Sequence, residues 1–131
     1  MVAPGYPPAM AGPSPQVFGT PDSPATRAAL RFFKERRFEV HVVDVSRKPM
    51  APTELRRFID KLGARAVADE TSKAWRDAGL GYLRMDDAEL AERLFSDQRL
   101  LNLPLVRIGN DVAAGRNEAA WKSMLALVAS R

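Results

Sequence analysis

A strand–helix–strand pattern near the start of the chain limits the possible folds more than any other feature. The apolar segment Gln16 to Gly19 predicts a short strand, and Ser23 before Pro24 is typical of a helix N-cap followed by its first helical position. The helix should run to about Arg37, and the β-branched, alternating segment Phe38 to Val45 predicts a second strand. The expected inward face of the helix comprises Thr26, Ala29, Leu30 and Phe33. Two strands joined by a helical crossover lie parallel, so this βαβ unit predicts an α/β fold.

The middle of the chain predicts a helical insertion. Asp86 and Glu89 form the spacing of a capping box and should open a helix that ends near Arg99. Two further helices are expected before it, one stopped by Gly63 and one covering Ser72 to Ala78. The predicted buried residues of the insertion are Leu55, Phe58, Ile59 and Leu62, followed by Leu90, Leu94 and Phe95.

The last part of the chain predicts a β-hairpin and a final helix. Leu105 to Ile108 and Val112 to Ala114 flank Gly109-Asn110-Asp111, whose composition favours a tight turn. The final helix should begin at Asn117. Its expected buried residues are Ala120, Trp121, Met124, Leu127 and Val128. The order βαβ, helical insertion, ββα predicts a four-stranded mixed sheet flanked by helices.

Composition limits the chemistry. The 131 residues suit one domain, which we place at residues 16–131 behind a disordered, proline-rich tail at 1–15. The chain has no cysteine and one histidine, His41, so thiolate chemistry, disulfides and sulfur-ligated metals are excluded and we expect no metal and no cofactor. No apolar run approaches the ~20 residues that span a bilayer, and the first fifteen residues lack the features of a secretory signal. We therefore expect a cytoplasmic protein with no membrane partner.

The net charge of +4 raises the question of a nucleic-acid partner. The basic residues concentrate on two predicted helices: Arg27, Arg31, Lys34, Arg36 and Arg37 on the first, and Arg56, Arg57, Lys61 and Arg65 on the second. No aromatic platform for stacking on bases is interleaved with them. The pattern therefore favours solvated helix faces over a nucleic-acid surface.

Four short motifs, in this order, give the chain a resemblance to a known family. They are Thr20-Pro21-Asp22-Ser23-Pro24-Ala25-Thr26-Arg27, Thr71-Ser72-Lys73-Ala74-Trp75, Leu103-Pro104-Leu105-Val106 and Gly115-Arg116-Asn117-Glu118. The sequence resembles the arsenate reductase (ArsC) and Spx family over roughly Gln16 to Leu127. The resemblance implies a thioredoxin-like fold with a helical insertion after the first βαβ unit. It also implies that Pro104 is a cis-proline facing the active site.

The same resemblance assigns the family's functional positions in this chain. The nucleophilic cysteine falls on Ser23, and the second cysteine of the Spx branch falls on Thr26. The family's oxyanion-binding arginines match Thr71, Leu103 and Arg116, so only one of the three is retained. A serine hydroxyl is not ionised near neutral pH and has no two-electron redox couple, so Ser23 cannot replace the thiolate in reduction.

The residues that remain leave alternatives open. Ser23, Thr26, Arg27 and Arg116 surround a predicted helix N-terminus, where free backbone N–H groups can bind a small oxyanion weakly. The alternative is that Ser23 only caps the helix and the arginines are surface charges. We expect a non-catalytic protein-interaction or regulatory module. A reductase of the arsenate or disulfide type and a small-oxyanion binding module are the alternatives.

Overall fold

The computed structural model describes residues 14–129 of the chain. Most of the tail predicted for residues 1–15 lies outside that range. The strands are β1 (Gln16–Gly19), β2 (His41–Asp44), β3 (Leu105–Ile108) and β4 (Asp111–Ala114), and the helices are α1 (Pro24–Glu35), α2 (Pro52–Leu62), α3 (Ala64–Val67), α4 (Lys73–Asp77), α5 (Asp87–Ser96) and α6 (Glu118–Ala129). Short 3₁₀ turns cover Leu80–Tyr82 and Gln98–Leu100. No helix within the described range combines the length and apolarity needed to cross a bilayer.

The four strands form one mixed sheet in the order β2-β1-β3-β4. β1 runs parallel to β2, and β3 is antiparallel to both β1 and β4. Helices α2 to α5 form the insertion between β2 and β3. The predicted α/β class, the element order and the four-stranded mixed sheet are therefore confirmed.

The sheet separates two apolar cores because successive residues of a strand point to opposite faces. Val17 of β1 packs in a core with α1 and α6, which contains Phe33 and Trp121. Phe18, the next residue, packs in a second core with the insertion. Its ring lies edge-on to that of Phe58, with the two ring centres 5.8 Å apart. The alternation within β1 thus anchors α1 on one face and the insertion on the other.

The end of α1 corrects the predicted start of the second strand. β2 begins at His41 rather than at Phe38, because the residues after the helix complete its C-terminal cap. Arg37 adopts a left-handed conformation with φ 63°, and the Phe38 N–H donates to the Phe33 carbonyl at 3.0 Å. Phe38 then packs against the α1 core instead of pairing with β1.

Several side-chain predictions also need correction. Phe32 lies on the buried face of α1 and its ring centre is 5.3 Å from that of Trp121, whereas Leu30 is only partly buried. Leu127 is 44% exposed because the buried row of α6 follows Trp121, Met124 and Val128. Ile59, Leu62 and Phe95 of the insertion and Ala120 of α6 are also only partly buried.

One additional helix and one helix boundary in the insertion differ from the prediction. The short helix α3 was not predicted, because its four residues give no periodic signal. Helix α5 ends at Ser96 rather than near Arg99, because Asp97 leaves the helical conformation with φ −143°. The Asp97 carboxylate then caps the following 3₁₀ turn by accepting from the Arg99 N–H at 3.1 Å.

Candidate functional site

The junction between β1 and α1 is closed by hydrogen bonds of Ser23. Its N–H donates to the Thr20 carbonyl at 3.1 Å and so forms a tight turn. Its side-chain oxygen accepts from the Thr26 N–H at 3.1 Å, which makes Ser23 the N-cap of α1, with Pro24 at the first helical position. The hydroxyl at the position that the resemblance assigns to the nucleophile therefore stabilises the helix end.

The first turn of α1 keeps few free backbone donors. Pro24 has no N–H, the Thr26 N–H donates to the Ser23 hydroxyl, and the Arg27 N–H donates to the Ser23 carbonyl at 3.0 Å. Among the described contacts, only the Ala25 N–H of this turn has no acceptor. A helix N-terminus binds an anion through several unpaired N–H groups, and one donor is a poor basis for such a site.

Thr26 is buried against the end of β1. It is 2% exposed, and its hydroxyl accepts from the Thr20 N–H at 3.4 Å. A Cβ placed on Gly19 would lie 2.3 Å from the Thr26 hydroxyl oxygen, so only glycine fits opposite this side chain. Thr26 is thus a packing residue between strand and helix and does not face an open site.

Arg27 is an exposed side chain fixed by the turn before α1. Its guanidinium donates to the Pro21 carbonyl at 2.8 Å. This bond folds the side chain back onto the Thr20–Ser23 turn, where it helps to hold the junction closed.

The sheet brings Pro104 and Arg116 to the same end as this junction. β1 pairs Phe18 with Leu105, and β3 pairs Leu105 with Ala114, so Gly19, Pro104 and Gly115 follow side by side. The Leu103–Pro104 bond is cis, as the resemblance implies, and the Gly115 N–H donates to the Pro104 carbonyl at 2.9 Å. Arg116 comes next and is exposed, but within residues 14–129 no hydrogen bond or ion pair joins it to Ser23, Thr26 or Arg27.

The other two positions matched to oxyanion-binding arginines are engaged elsewhere. The Thr71 hydroxyl donates to Asp69 at 2.6 Å in an exposed loop of the insertion. Leu103 is half-buried and apolar. Of the predicted anion-binding group, the structure therefore brings Ser23, Thr26 and Arg27 into contact through the turn and leaves Arg116 beside them without a bond.

A groove of about 370 Å³ beside the junction includes residues that sequence reasoning missed. It is lined by Thr20, Val45, Ser46, Pro49, Gln98, Arg99 and Leu103. Arg99 makes two hydrogen bonds of 2.9 Å to Asp97, and these hold the pKa of Asp97 below its usual value and raise the pKa of Arg99. The only local signal was an acidic and a basic residue two positions apart, and it does not predict a groove.

Three polar side chains of this groove, those of Ser46, Gln98 and Arg99, already have partners. The Gln98 amide accepts from the Met50 N–H at 2.8 Å and donates to the Met50 carbonyl at 2.9 Å. The Ser46 hydroxyl donates to Asp44 at 2.6 Å and lowers the pKa of that carboxyl group. The groove is thus a concave surface with one exposed cation, Arg99, and it does not present a set of free polar groups.

Nucleophilic catalysis by Ser23 would need a neighbouring base, and the sheet places the histidine far from it. β1 and β2 run parallel, with Gln16 opposite His41 and Gly19 opposite Asp44. His41 therefore lies at the opposite end of these strands from Ser23, with its ring nitrogen 3.5 Å from the Gln16 amide. Within residues 14–129, no three histidine or carboxylate side chains lie together as a metal site.

Comparison with known sequences gives one family. The ArsC family model matches residues 18–124. Two curated relatives named arsenate reductase, from Neisseria meningitidis serogroup A and serogroup B, are each 28% identical over 107 residues, which is 79% of this chain and 92% of each relative.

Solved structures give the same fold. An arsenate reductase from Vibrio cholerae superposes with a TM-score of 0.72 at 19% identity, covering 85% of this chain and 98% of that one. An ArsC-family-related protein from Bacteroides fragilis superposes with a TM-score of 0.76 at 16% identity, covering 85% and 97%. At these identities the likeness concerns the fold, and it confirms the predicted thioredoxin-like architecture.

Proposed function

This chain belongs to the ArsC family, and from that premise we propose that it is a member without reductase activity that works as a protein-interaction or regulatory module. One observation carries the proposal. In a chain with no cysteine, the residue at the position matched to the nucleophile is Ser23, and its hydroxyl caps α1. The fold of a thiol enzyme is thus kept while its redox group is absent.

The chemistry of reduction supports this proposal. Arsenate or disulfide reduction needs two electrons, which a thiolate supplies as it becomes part of a disulfide, and a hydroxyl group has no comparable couple. Two of the positions matched to oxyanion-binding arginines also support the proposal. They hold Thr71 and Leu103, which carry no charge that could bind an oxyanion. The cytoplasmic location expected from the sequence remains a prediction.

The relatives from Neisseria meningitidis are named arsenate reductases, so the reductase alternative has a defined test. We would measure arsenite formation by wild type and Ser23→Ala with arsenate, glutathione, glutaredoxin and an NADPH-coupled reductase. We expect both to stay at the rate of the assay without protein. Turnover by wild type that Ser23→Ala abolishes would contradict the proposal.

A second variant tests whether this position can still activate a thiol. Ser23→Cys places a thiol at the N-terminus of α1, where the helix dipole should lower its pKa from about 8.5 towards 7 or below. We expect this thiol to react with a disulfide reagent faster than free cysteine at pH 7, while arsenate turnover remains absent without the partner arginines. A reactive thiol would show that the N-terminus of α1 can still activate a thiolate, so that wild type lacks both the thiol and two of the matched arginines.

A further inference from the structure

Positive charge concentrates on α1 and the residues after it. Residues 24–39 contain five of the twenty basic residues of the chain and only two of its sixteen acidic residues. This short segment therefore supplies +3 of the net charge of +4. The rest of the chain is close to neutral.

Three of these cations form one row. Arg27, Arg31 and Lys34 stand at i, i+4 and i+7 of α1, so they share a helix face, and all three are exposed. Within residues 14–129, none of them makes an ion pair, and the ion pairs of the chain lie on other elements. The charges of the row therefore have no acidic partner within the described residues, and the Arg27 guanidinium, which donates to the Pro21 carbonyl, remains exposed.

A fourth cation, Arg37, occupies a strained position directly after the row. The Arg37 N–H donates to the Lys34 carbonyl at 2.9 Å, and the Phe38 N–H reaches the Phe33 carbonyl, which is the bonding pattern of a Schellman cap. The left-handed residue of this cap is usually glycine, yet here it is an arginine with φ 63°. Strain at a residue that is not glycine often marks a functional position, so an arginine at this position points to a use for its charge.

The helix that carries the row is held rigidly. Its opposite side buries Phe32 and Phe33 in the core shared with α6. At its C-terminal end, the Arg36 guanidinium stacks 3.7 Å from the centre of the Phe32 ring and donates to the Phe32 carbonyl at 3.1 Å. A partner would therefore meet a helix that needs no ordering, which lowers the entropic cost of binding.

We propose that Arg27, Arg31, Lys34 and Arg37, here called the basic face of α1, bind an acidic segment of a protein partner. The inference rests on the proposed interaction function and gives the chemistry of the partner. The row spans about 10 Å along the helix, because seven residues rise 1.5 Å each, and this length matches two turns of an acidic helix with carboxylates at the same spacing.

A protein segment suits this face better than nucleic acid does. The large apolar side chains exposed in the described part of the chain are Val42, Tyr82, Leu83 and Leu127, and none lies on α1 to stack on bases.

The test uses the full chain and a helical peptide that carries three glutamates at i, i+4 and i+7. Binding is followed by backbone amide NMR shifts at low and at physiological salt. We expect shifts concentrated on residues 24–38. The triple variant Arg27→Gln, Arg31→Gln, Lys34→Gln should weaken binding at least tenfold.

A matched variant removes the same charge elsewhere. Lys48, Arg84 and Arg93 are exposed and make no ion pair within the described residues, so changing all three to Gln lowers the net charge equally. We expect less than a twofold effect from it. Equal weakening by both triple variants would overturn the proposal, because it would show only general charge attraction.

Two further results would be decisive. A short DNA duplex that binds wild type more tightly than the peptide does, at the same salt concentration, would overturn the choice of a protein partner. The reductase assay is independent of this experiment, so turnover by wild type would refute the proposed function whatever the peptide does. If the peptide does not bind and wild type shows no reductase turnover, only the proposal that the basic face binds an acidic segment is refuted.

Discussion

Gly19→Ala tests the close contact that joins β1 to α1. The added methyl carbon would lie 2.3 Å from the Thr26 hydroxyl oxygen and 2.5 Å from its methyl carbon. Real Cβ atoms do not approach other atoms so closely, and Thr26 cannot move away because it is buried and its β-branched side chain has few rotamers. Overpacking of this kind costs about 1–3 kcal/mol of unfolding free energy.

Two variants make this prediction specific. Thr26→Ala removes both of the shortest contacts and leaves the methyl carbon 3.0 Å from the Thr26 Cβ. In the double variant, Gly19→Ala should therefore cost at least about 1 kcal/mol less than it does alone, a coupling that a double-mutant cycle measures directly. Gly81→Ala is the matched control, because a Cβ there meets nothing closer than Trp75 at 3.9 Å.

Urea unfolding followed by circular dichroism measures these differences. With a typical slope of 1–3 kcal/mol per molar urea, a loss of about 2 kcal/mol moves the midpoint by roughly 1 M. The Gly81→Ala midpoint should stay near that of wild type. The contact would be refuted if Gly19→Ala fell within about 0.5 kcal/mol of wild type, or if its cost were unchanged in the Thr26→Ala background.

Three further predictions use the same unfolding assay. Ser23→Ala should lower stability by about 1 kcal/mol, while Ser23→Asp, which keeps a capping acceptor, should stay near wild type; equal losses would contradict the cap. Arg37→Gly should raise stability by about 1 kcal/mol by relieving the left-handed strain, yet weaken binding of the acidic peptide; no gain in stability would argue against the strain. Asp97→Asn should be less stable than wild type at pH 7. The Asp97 pKa is lowered in the folded state by Arg99, so its contribution is present above about pH 4 and lost as pH falls further. The two proteins should therefore converge in stability at acid pH, below the lowered pKa of Asp97, and a difference that stays constant with pH would contradict the ion pair.

Much of the fold could be predicted because its signals are local. Ser23 and Pro24 mark the start of α1, and the capping box of Asp86 and Glu89 is present as expected, with both reciprocal bonds formed. The glycine-containing turn after Ile108 places the hairpin correctly. Each of these features depends on residues within a few positions of one another.

The errors have a common cause in contacts between distant residues or in unusual residue types. Arg37 gives no sequence signal for a left-handed cap, because glycine is the residue expected there. The predicted second strand therefore begins at Phe38, before the observed start of β2. Phe32 turns inward because it meets Trp121, almost ninety positions later, and the spacing within α1 alone could not show this.

Only part of the candidate site could be predicted from the sequence, for the same reason. The sequence places Ser23 at a helix start, but the loss of free N–H groups depends on the turn geometry of Thr20 to Arg27. The groove that includes Arg99 brings together residues from four parts of the chain, and only the folded sheet and insertion show it.

The most direct test of the central claim is a titration of the protein with arsenate, phosphate and sulfate at low ionic strength, followed by the backbone amide NMR shifts of residues 20–27 and 116. The account holds that Ser23 closes this junction as a helix cap and that the Thr26 N–H is already bonded to it. It therefore predicts no saturable shift at these amides. Saturable shifts at Thr26 and Arg116 that disappear in Ser23→Ala would contradict it and show that an oxyanion site has survived the loss of the thiol.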